Sequence, residues 1–222
     1  MNKLILYNYF RSSTSFRVRI GLEIKKLSYE YQPVHLLSDG GQQNQPAYRK
    51  LNPMGGVPTL VHHDKVLSQS LVILQYLDDV FPDSYRLFPA DHFARAKALQ
   101  FCEMINADMH AFGNLKVLQY LETKHSYQQD EKDAWVNYWF TQGFKAIEKS
   151  LEVSAKEFCF GSQVSAADLL LVPMATTAER FKMKLEQFPN VNRIYKSCSA
   201  RPEFMKAHPF RQIDTPAEMR LP

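Results

Sequence analysis

Apolar and polar positions change rhythm along this chain, and the change divides it in two. Near the start, Leu4-Ile5-Leu6-Tyr7 is an unbroken apolar run, the pattern of a strand covered on both faces. Phe16, Ile20, Ile24 and Leu27 then recur at helical spacing, with Arg19, Glu23 and Lys26 expected on another, polar face. Residues 29–34 read as a second strand, and Pro33, which has no amide hydrogen for a ladder, makes it an edge. Thr59–His62 and residues 66–68 predict two strands joined across His63-Asp64-Lys65. Leu71, Leu74, Leu77 and Phe81 predict a closing helix that stops near Pro82. The order β-α-β, then β-β-α, favours a small sheet with helices packed on it.

Beyond Pro89 the strand rhythm disappears. Ala94, Ala98, Phe101, Cys102, Ile105 and Met109 form one helical stripe, and Trp135, Trp139, Phe140, Phe144, Ile147 and Leu151 form another. The second part therefore reads as all-helical. Residues 81–89, with two prolines and Asp83-Ser84, are the expected linker, and the polar tail after Phe210 is expected to lie along the surface.

Composition narrows the classes of function. With 45% apolar residues, 15 Phe and 11 Tyr, the 222-residue chain has the means for a substantial core. Its formal charge is +4 and no five like charges are adjacent, so nucleic-acid binding is not expected. Cys102, Cys159 and Cys198 are odd in number and far apart, which argues against a disulfide framework or a metal centre and for a reducing, cytoplasmic compartment. No apolar run is long enough to span a bilayer, so no membrane association is expected. The apolar residues 4–10 give way to Arg11-Ser12-Ser13 without a small-residue cleavage pattern, so no signal peptide is expected either.

Three segments could carry chemistry. Ser12, Ser13 and Thr14 fall where a strand gives way to a helix, whose first turn has unpaired amides and a partial positive charge. That setting stabilises an anion and lowers the pKa of a thiol held there, although a hydroxyl cluster caps helices just as readily. Asn52-Pro53-Met54-Gly55-Gly56-Val57-Pro58 ends in a Val-Pro step before a strand, and a cis bond there would turn the Val57 main chain outward to pair with an extended peptide. Gln69-Ser70 opens a helix and could hold a carboxylate, or simply cap it. Ser165-x-x-Asp168 reads as a capping box, with Val164 and Leu169 as its staple. His62 and His63 read as surface or half-buried, and His110 has no Asp or Ser to complete a triad.

These segments together resemble the zeta class of glutathione transferases, the family of the maleylacetoacetate isomerases. The most specific likeness is Ser12-Ser13-x-Ser15-x-Arg17-Val18-Arg19-Ile20. It continues through Gly41-Gln42-Gln43, Asn52-Pro53-Met54, Gln69-Ser70-Leu71 and Asn114-Leu115-x-Val117-Leu118. Ala166-Ala167-Asp168-Leu169, Val172-Pro173 and Ala178-Glu179-Arg180-Phe181 extend it over nearly the whole chain. The resemblance implies an α/β thioredoxin-like N-terminal domain over residues 1–83 and an all-α C-terminal domain over 88–222. It implies glutathione as cofactor, held by Ser12, Ser13, Thr14, Gln43, Val57, Gln69, Ser70 and Asn114, with the first three stabilising its sulfur. Arg11 and Arg180 match positions that face the substrate, where guanidinium forks suit a diacid. Arg17 and Arg19 are expected to serve packing or ion pairing. The implied reaction isomerises maleylacetoacetate to fumarylacetoacetate without a metal, in a homodimer.

Thr14 departs from the class, which usually has cysteine there, and resembles the related maleylpyruvate isomerases. Gly56, beside the expected peptide site, is a second variable position that would loosen its loop. Action on small halo-acids is a further alternative, and a non-catalytic scaffold of the same fold a distant one.

Overall fold

The computed structural model describes residues 3–221; residues 1, 2 and 222, the outermost positions of the two expected domains, lie outside it. In β1 (Leu4–Asn8), Leu4, Leu6 and Asn8 are buried on one face, while Ile5 and Tyr7 are half-buried on the other. This strand is central because both its edges are taken. It pairs in parallel with β2 (Tyr29–Pro33), Leu6 opposite Tyr31, and antiparallel with β3 (Thr59–His62), Leu6 opposite Leu60. The fourth strand, β4 (Lys65–Ser68), pairs antiparallel with β3, giving the order β2-β1-β3-β4 with the Pro33 strand at an edge.

Helix α1 (Ser13–Ile24) and helix α3 (Ser70–Val80) cover one face of the sheet, where Leu4, Leu6, Val18, Leu22, Leu60, Ile73 and Leu77 form a closed core. Each such side chain taken from water contributes roughly 1.5–3 kcal/mol. A short helix, α2 (Pro46–Leu51), was not expected from periodicity, although Pro46 at its first position is a start signal. The polar face expected on α1 is not a solvent face. Arg17 and Arg19 are fully buried, and all residues from Ser15 to Leu22 are inside.

The chain divides into two compact units, one holding residues up to Leu87 together with those from Ala200 onward, the other Phe88–Ser199. The C-terminal residues from Ala200 thus group with the sheet, where a helical domain running to the end was expected. The tail does not simply skirt the surface. After α9 (Pro202–Ala207), which packs on α1, Gln212 and Thr215 are buried. Their polar groups are consumed internally: Gln212 Nε2 donates to the carbonyls of Lys206 (3.0 Å) and His208 (2.8 Å), and Thr215 Oγ1 to that of Pro209 (2.7 Å).

The second unit is helical, with α4 (His92–Ile105), α5 (Leu115–His125), α6 (Gln129–Ser154), α7 (Ala166–Arg180) and α8 (Pro189–Ser199). Helix α7 is buried on all sides from Ala166 to Ala175, which marks it as the axis on which α4 and α8 pack. Its start is the expected capping box: both the amide and the hydroxyl of Ser165 donate to Asp168 Oδ2, and the Cys159 amide donates to Oδ1. Burial pushes the Asp168 carboxyl up, and those bonds pull against it. After α4 the chain makes a wide π-turn at Asn106–His110 that buries Met109. Gly143 on α6 makes room for it, since a Cβ there would lie 2.1 Å from Met109 Cγ.

Among the described residues, no helix is long and apolar enough to cross a membrane. In the first unit, α1, α3 and the segment before Leu87 are joined by a buried ion pair. Lys25 Nζ lies 2.9 Å from Asp78 Oδ1 and 2.8 Å from the Tyr85 carbonyl, while both Asp78 oxygens accept from the Leu87 amide. Asp78→Ala would strand a buried ammonium, and urea unfolding should register a loss of about 3–5 kcal/mol. The double variant Lys25→Met, Asp78→Leu should recover most of it, whereas equal losses in both would mean that the charge pairing is irrelevant.

Candidate active site

Three junctions in the first unit hold the expected residues, two at helix starts and one in the loop that enters β3. The first is the start of α1. Ser12 is the N-cap, and its Oγ accepts from the Ser15 amide at 3.1 Å, so the capping reading of this hydroxyl holds. It is also bonded to Thr14 Oγ1 at 2.9 Å, and Thr14 Oγ1 donates to the Val57 carbonyl at 2.8 Å. A carbonyl can only accept, so the Thr14 hydrogen goes to Val57 and the Ser12 hydrogen to Thr14. Ser13 is the first helical residue, half-buried and outside this relay. Arg11 is exposed just before the cap.

The second junction is the loop into β3. The Val57–Pro58 bond is cis, the less common of the two forms open to an X-Pro step. Gly56 does not loosen this loop: its carbonyl accepts from Tyr48 Oη at 2.6 Å and Asn52 Nδ2 at 2.9 Å, and both donors also reach Thr59 Oγ1. Tyr48 was not singled out from sequence; it rides on α2, which periodicity missed. Gln43 is buried in the preceding segment, with Nε2 donating to the Leu36 carbonyl at 3.1 Å and Oε1 without a partner. Its position requires Gly41, which has φ +89° and whose missing Cβ would fall 2.4 Å from Gln43 Nε2.

The third junction opens α3. Gln69 is exposed and has φ +73°, a left-handed conformation that costs a non-glycine residue roughly 1–3 kcal/mol and often accompanies function. No side chain caps this helix, so its first amides are available to an acceptor. Ser70 is buried at the helix start, and Arg17 Nη1 donates to its Oγ at 3.2 Å, which sets a buried positive charge behind an uncapped N-terminus. This is an anion site in its chemistry.

The remaining expected residues lie in the helical unit. Asn114 is the N-cap of α5: Oδ1 accepts from the Lys116 amide at 3.1 Å, and Nδ2 is 3.4 Å from His110 Nε2. Arg180 ends α7, exposed, with its guanidinium carbon 5.1 Å from the centre of the Phe181 ring. His62 is more buried than expected, its Nδ1 bonded to Tyr76 Oη at 2.8 Å. Among the described residues, no cluster of His, Cys, Asp or Glu could hold a metal ion.

A mixed four-stranded sheet with a cis-proline before its third strand, followed by a helical unit, has the thioredoxin-like plus all-α architecture of a glutathione transferase. The family models "Glutathione S-transferase, N-terminal domain" and "Glutathione S-transferase, C-terminal domain" match residues 2–79 and 108–206. Maleylacetoacetate isomerase of Dictyostelium discoideum is 42% identical over 96% of both chains. A bacterial zeta-class maleylpyruvate isomerase structure superposes with a TM-score of 0.91 at 33% identity, covering 96% of this chain and 100% of that one. A maleylacetoacetate isomerase from Methylobacterium extorquens, solved with malonate and glutathione bound, gives 0.90 at 32% identity over 96% and 100%. The chain belongs to the glutathione S-transferase family, in its zeta class.

The hydroxyl relay joins α1 to the Val57 loop. Thr14→Val would leave the Ser12 hydroxyl and the Val57 carbonyl short of partners, a loss of about 1–3 kcal/mol in urea unfolding. Thr14→Ser should keep most of that stability, and a valine variant as stable as the parent would show that the relay contributes nothing.

Proposed function

We propose that this chain is a glutathione-dependent cis–trans isomerase that converts maleylacetoacetate to fumarylacetoacetate. The observation that carries the proposal is the hydroxyl cluster on the first turn of α1, tied by Thr14 to the Val57 main chain. The residues around it fit glutathione. An uncapped helix start with Arg17 behind Ser70 suits a carboxylate, and the buried Gln43 Oε1 is an acceptor in want of an N–H. The Val57 main chain beside a cis-proline suits an extended peptide.

When bound, glutathione supplies a thiolate that adds to the cis double bond and departs once rotation has given the trans isomer. The protein's part is to keep that sulfur ionised and the diacid aligned. A thiol of pKa about 8.5 is only a few per cent ionised at neutral pH. Lowering it by about two units requires roughly 2.7 kcal/mol of preferential stabilisation of the anion. In this reading Ser13, at the first position of α1, is the main donor to the sulfur with Ser12 and Thr14 beside it, and the α1 amides add their partial charge. Gln69 and Ser70 take the γ-glutamyl carboxylate, Val57 pairs with the cysteinyl backbone, and Gln43 and Asn114 hold the remaining polar groups. Arg11 and Arg180 orient the substrate carboxylates and offset charge that builds on its enolate oxygen.

Maleylpyruvate is the second reading, favoured by the 0.91 superposition and by Thr14. We also propose a homodimer, supported by exposed Val66 on β4 and Val72 and Val80 on α3, and a cytoplasmic location, supported by three buried cysteines that form no disulfide.

Loss of cis-diketo-acid absorbance with each substrate tests the function. Turnover should require glutathione and be faster on maleylacetoacetate; a faster rate on maleylpyruvate selects the second reading, and turnover indifferent to glutathione removes both. Ser13→Ala should lower kcat by about 10²-fold or more, as loss of one donor to a developing anion does elsewhere. An unaltered rate would reassign the donor to Ser12 or Thr14.

A further inference from the structure

The C-terminal segment reaches the turn that leads into α1. The Phe10 amide donates to Asp214 Oδ2 at 3.0 Å, and Tyr31 Oη on β2 makes a short bond to Asp214 Oδ1. On the other side of the same turn is Arg19, fully buried. Its Nη1 lies 3.3 Å from the Tyr9 carbonyl and 3.0 Å from Asn8 Oδ1, and its Nη2 lies 3.0 Å from the Phe10 carbonyl. Its Nε donates at 3.0 Å to the Ala207 carbonyl, so the guanidinium is itself joined to the C-terminal segment.

The peptide unit between Tyr9 and Phe10 is therefore gripped at both ends. Its oxygen accepts from Arg19 and from the Ser12 amide (3.0 Å), and its N–H is taken by Asp214. A planar peptide held at its oxygen and its nitrogen cannot rotate. The Ser12 amide that meets that oxygen belongs to the N-cap of α1, so the grip determines where the next residue, Ser13, stands. We propose that Asp214 is a positioning residue for the sulfur site: it reaches from the C-terminal segment to lock the Tyr9–Phe10 peptide and so aims the first turn of α1. This rests on the reading of that turn as the place where glutathione is ionised.

The ionisable groups around the lock are few. Arg19 and Tyr31 face Asp214 directly, with Tyr29 and His208 beside Arg19. Burial pushes the Tyr31 phenol up despite Arg19, and the bond to Asp214 adds to the rise, so Tyr31 stays a donor. None of these groups belongs to the proposed peptide-binding set, so loss of the lock should act on the sulfur more than on affinity.

The test uses the full chain as wild type, Asp214→Ala, Tyr31→Phe and, as control, Glu218→Gln, an exposed carboxylate on the same segment. The thiolate absorbance of bound glutathione is titrated in each, with kcat and KM for glutathione. Asp214→Ala should raise the bound thiol's pKa by about one unit, about tenfold less thiolate at neutral pH, and lower kcat with it. KM should change by less than about threefold, because the carboxylate and peptide contacts are untouched. Tyr31→Phe, which keeps the Phe10 contact but frees one oxygen of Asp214, should shift the pKa in the same direction by less, and Glu218→Gln should match wild type. A folded Asp214→Ala protein with the wild-type thiol pKa and only a lowered Tm would overturn the proposal. Should that variant not fold, an unshifted Tyr31→Phe would do so. A wild-type enzyme whose bound glutathione ionises no more readily than in buffer would instead remove the sulfur site itself, and this inference with it.

Discussion

A guanidinium with no exposed surface must find all its hydrogen bonds inside the protein, and Arg19 finds most of them along the chain that leads into α1. Moving such a charge out of water costs several kcal/mol unless its donors are met. Here they are met by Asn8, the carbonyls of Tyr9 and Phe10, and the carbonyl of Ala207. Burial lowers the Arg19 pKa, with Tyr31, Tyr29 and Asp214 working against that fall, and a group that starts so high remains charged. The end of β1, the turn after it and the end of α9 are thereby constrained by one side chain. None of the three can drift without leaving a donor of that charge unsatisfied.

Two further buried cations anchor α1. Lys25 closes its C-terminal end against Asp78 and the Tyr85 carbonyl, and Arg17, in its middle, reaches Ser70 at the start of α3. Around α1 and its C-cap stand three buried cations, on different sides of the helix and each directed at a different piece of the unit. The arrangement serves an anion site in two ways. It holds the first turn of α1 in place from behind, and it puts Arg17 behind the uncapped start of α3, where a carboxylate would be met. Rigidity and positive potential come from the same residues.

Much of this was legible in the residues. Apolar rhythm located four strands and the helices α1 and α3, because each of those elements has a face against a core and its period survives in the sequence. The capping box at Ser165 and Asp168 could also be read, since it depends on residues close in sequence, whereas the cis form of the Val57–Pro58 bond was only one of two the step allows. What could not be read was α2, six residues long and too short for a period, and the burial of Arg19. An arginine at a helical position beside Glu23 looks solvent-facing until the residues that cover it are known, and those come from the far end of the chain. Asp214 was missed for the same reason: 204 residues separate it from the Phe10 amide it accepts from, and no local pattern links them. Similarly, the grouping of residues from Ala200 with the sheet depends on polar side chains that bond inward, which composition alone reads as exposure.

Thr14 shows how a departure from the class pattern acquires a definite physical role. A cysteine at that position would be a weak donor and acceptor. The hydroxyl instead accepts from Ser12 and donates to Val57, so that cap, helix and peptide-binding loop share one hydrogen-bonded relay. Each hydroxyl has a single hydrogen, so in this arrangement those of Ser12 and Thr14 are both engaged within the protein. Ser13 follows directly on the Ser12 cap, whose amide donates to the Tyr9 carbonyl that Arg19 also holds. Threonine at this position thus couples the start of α1 to the Val57 loop, which a thiol would do only weakly.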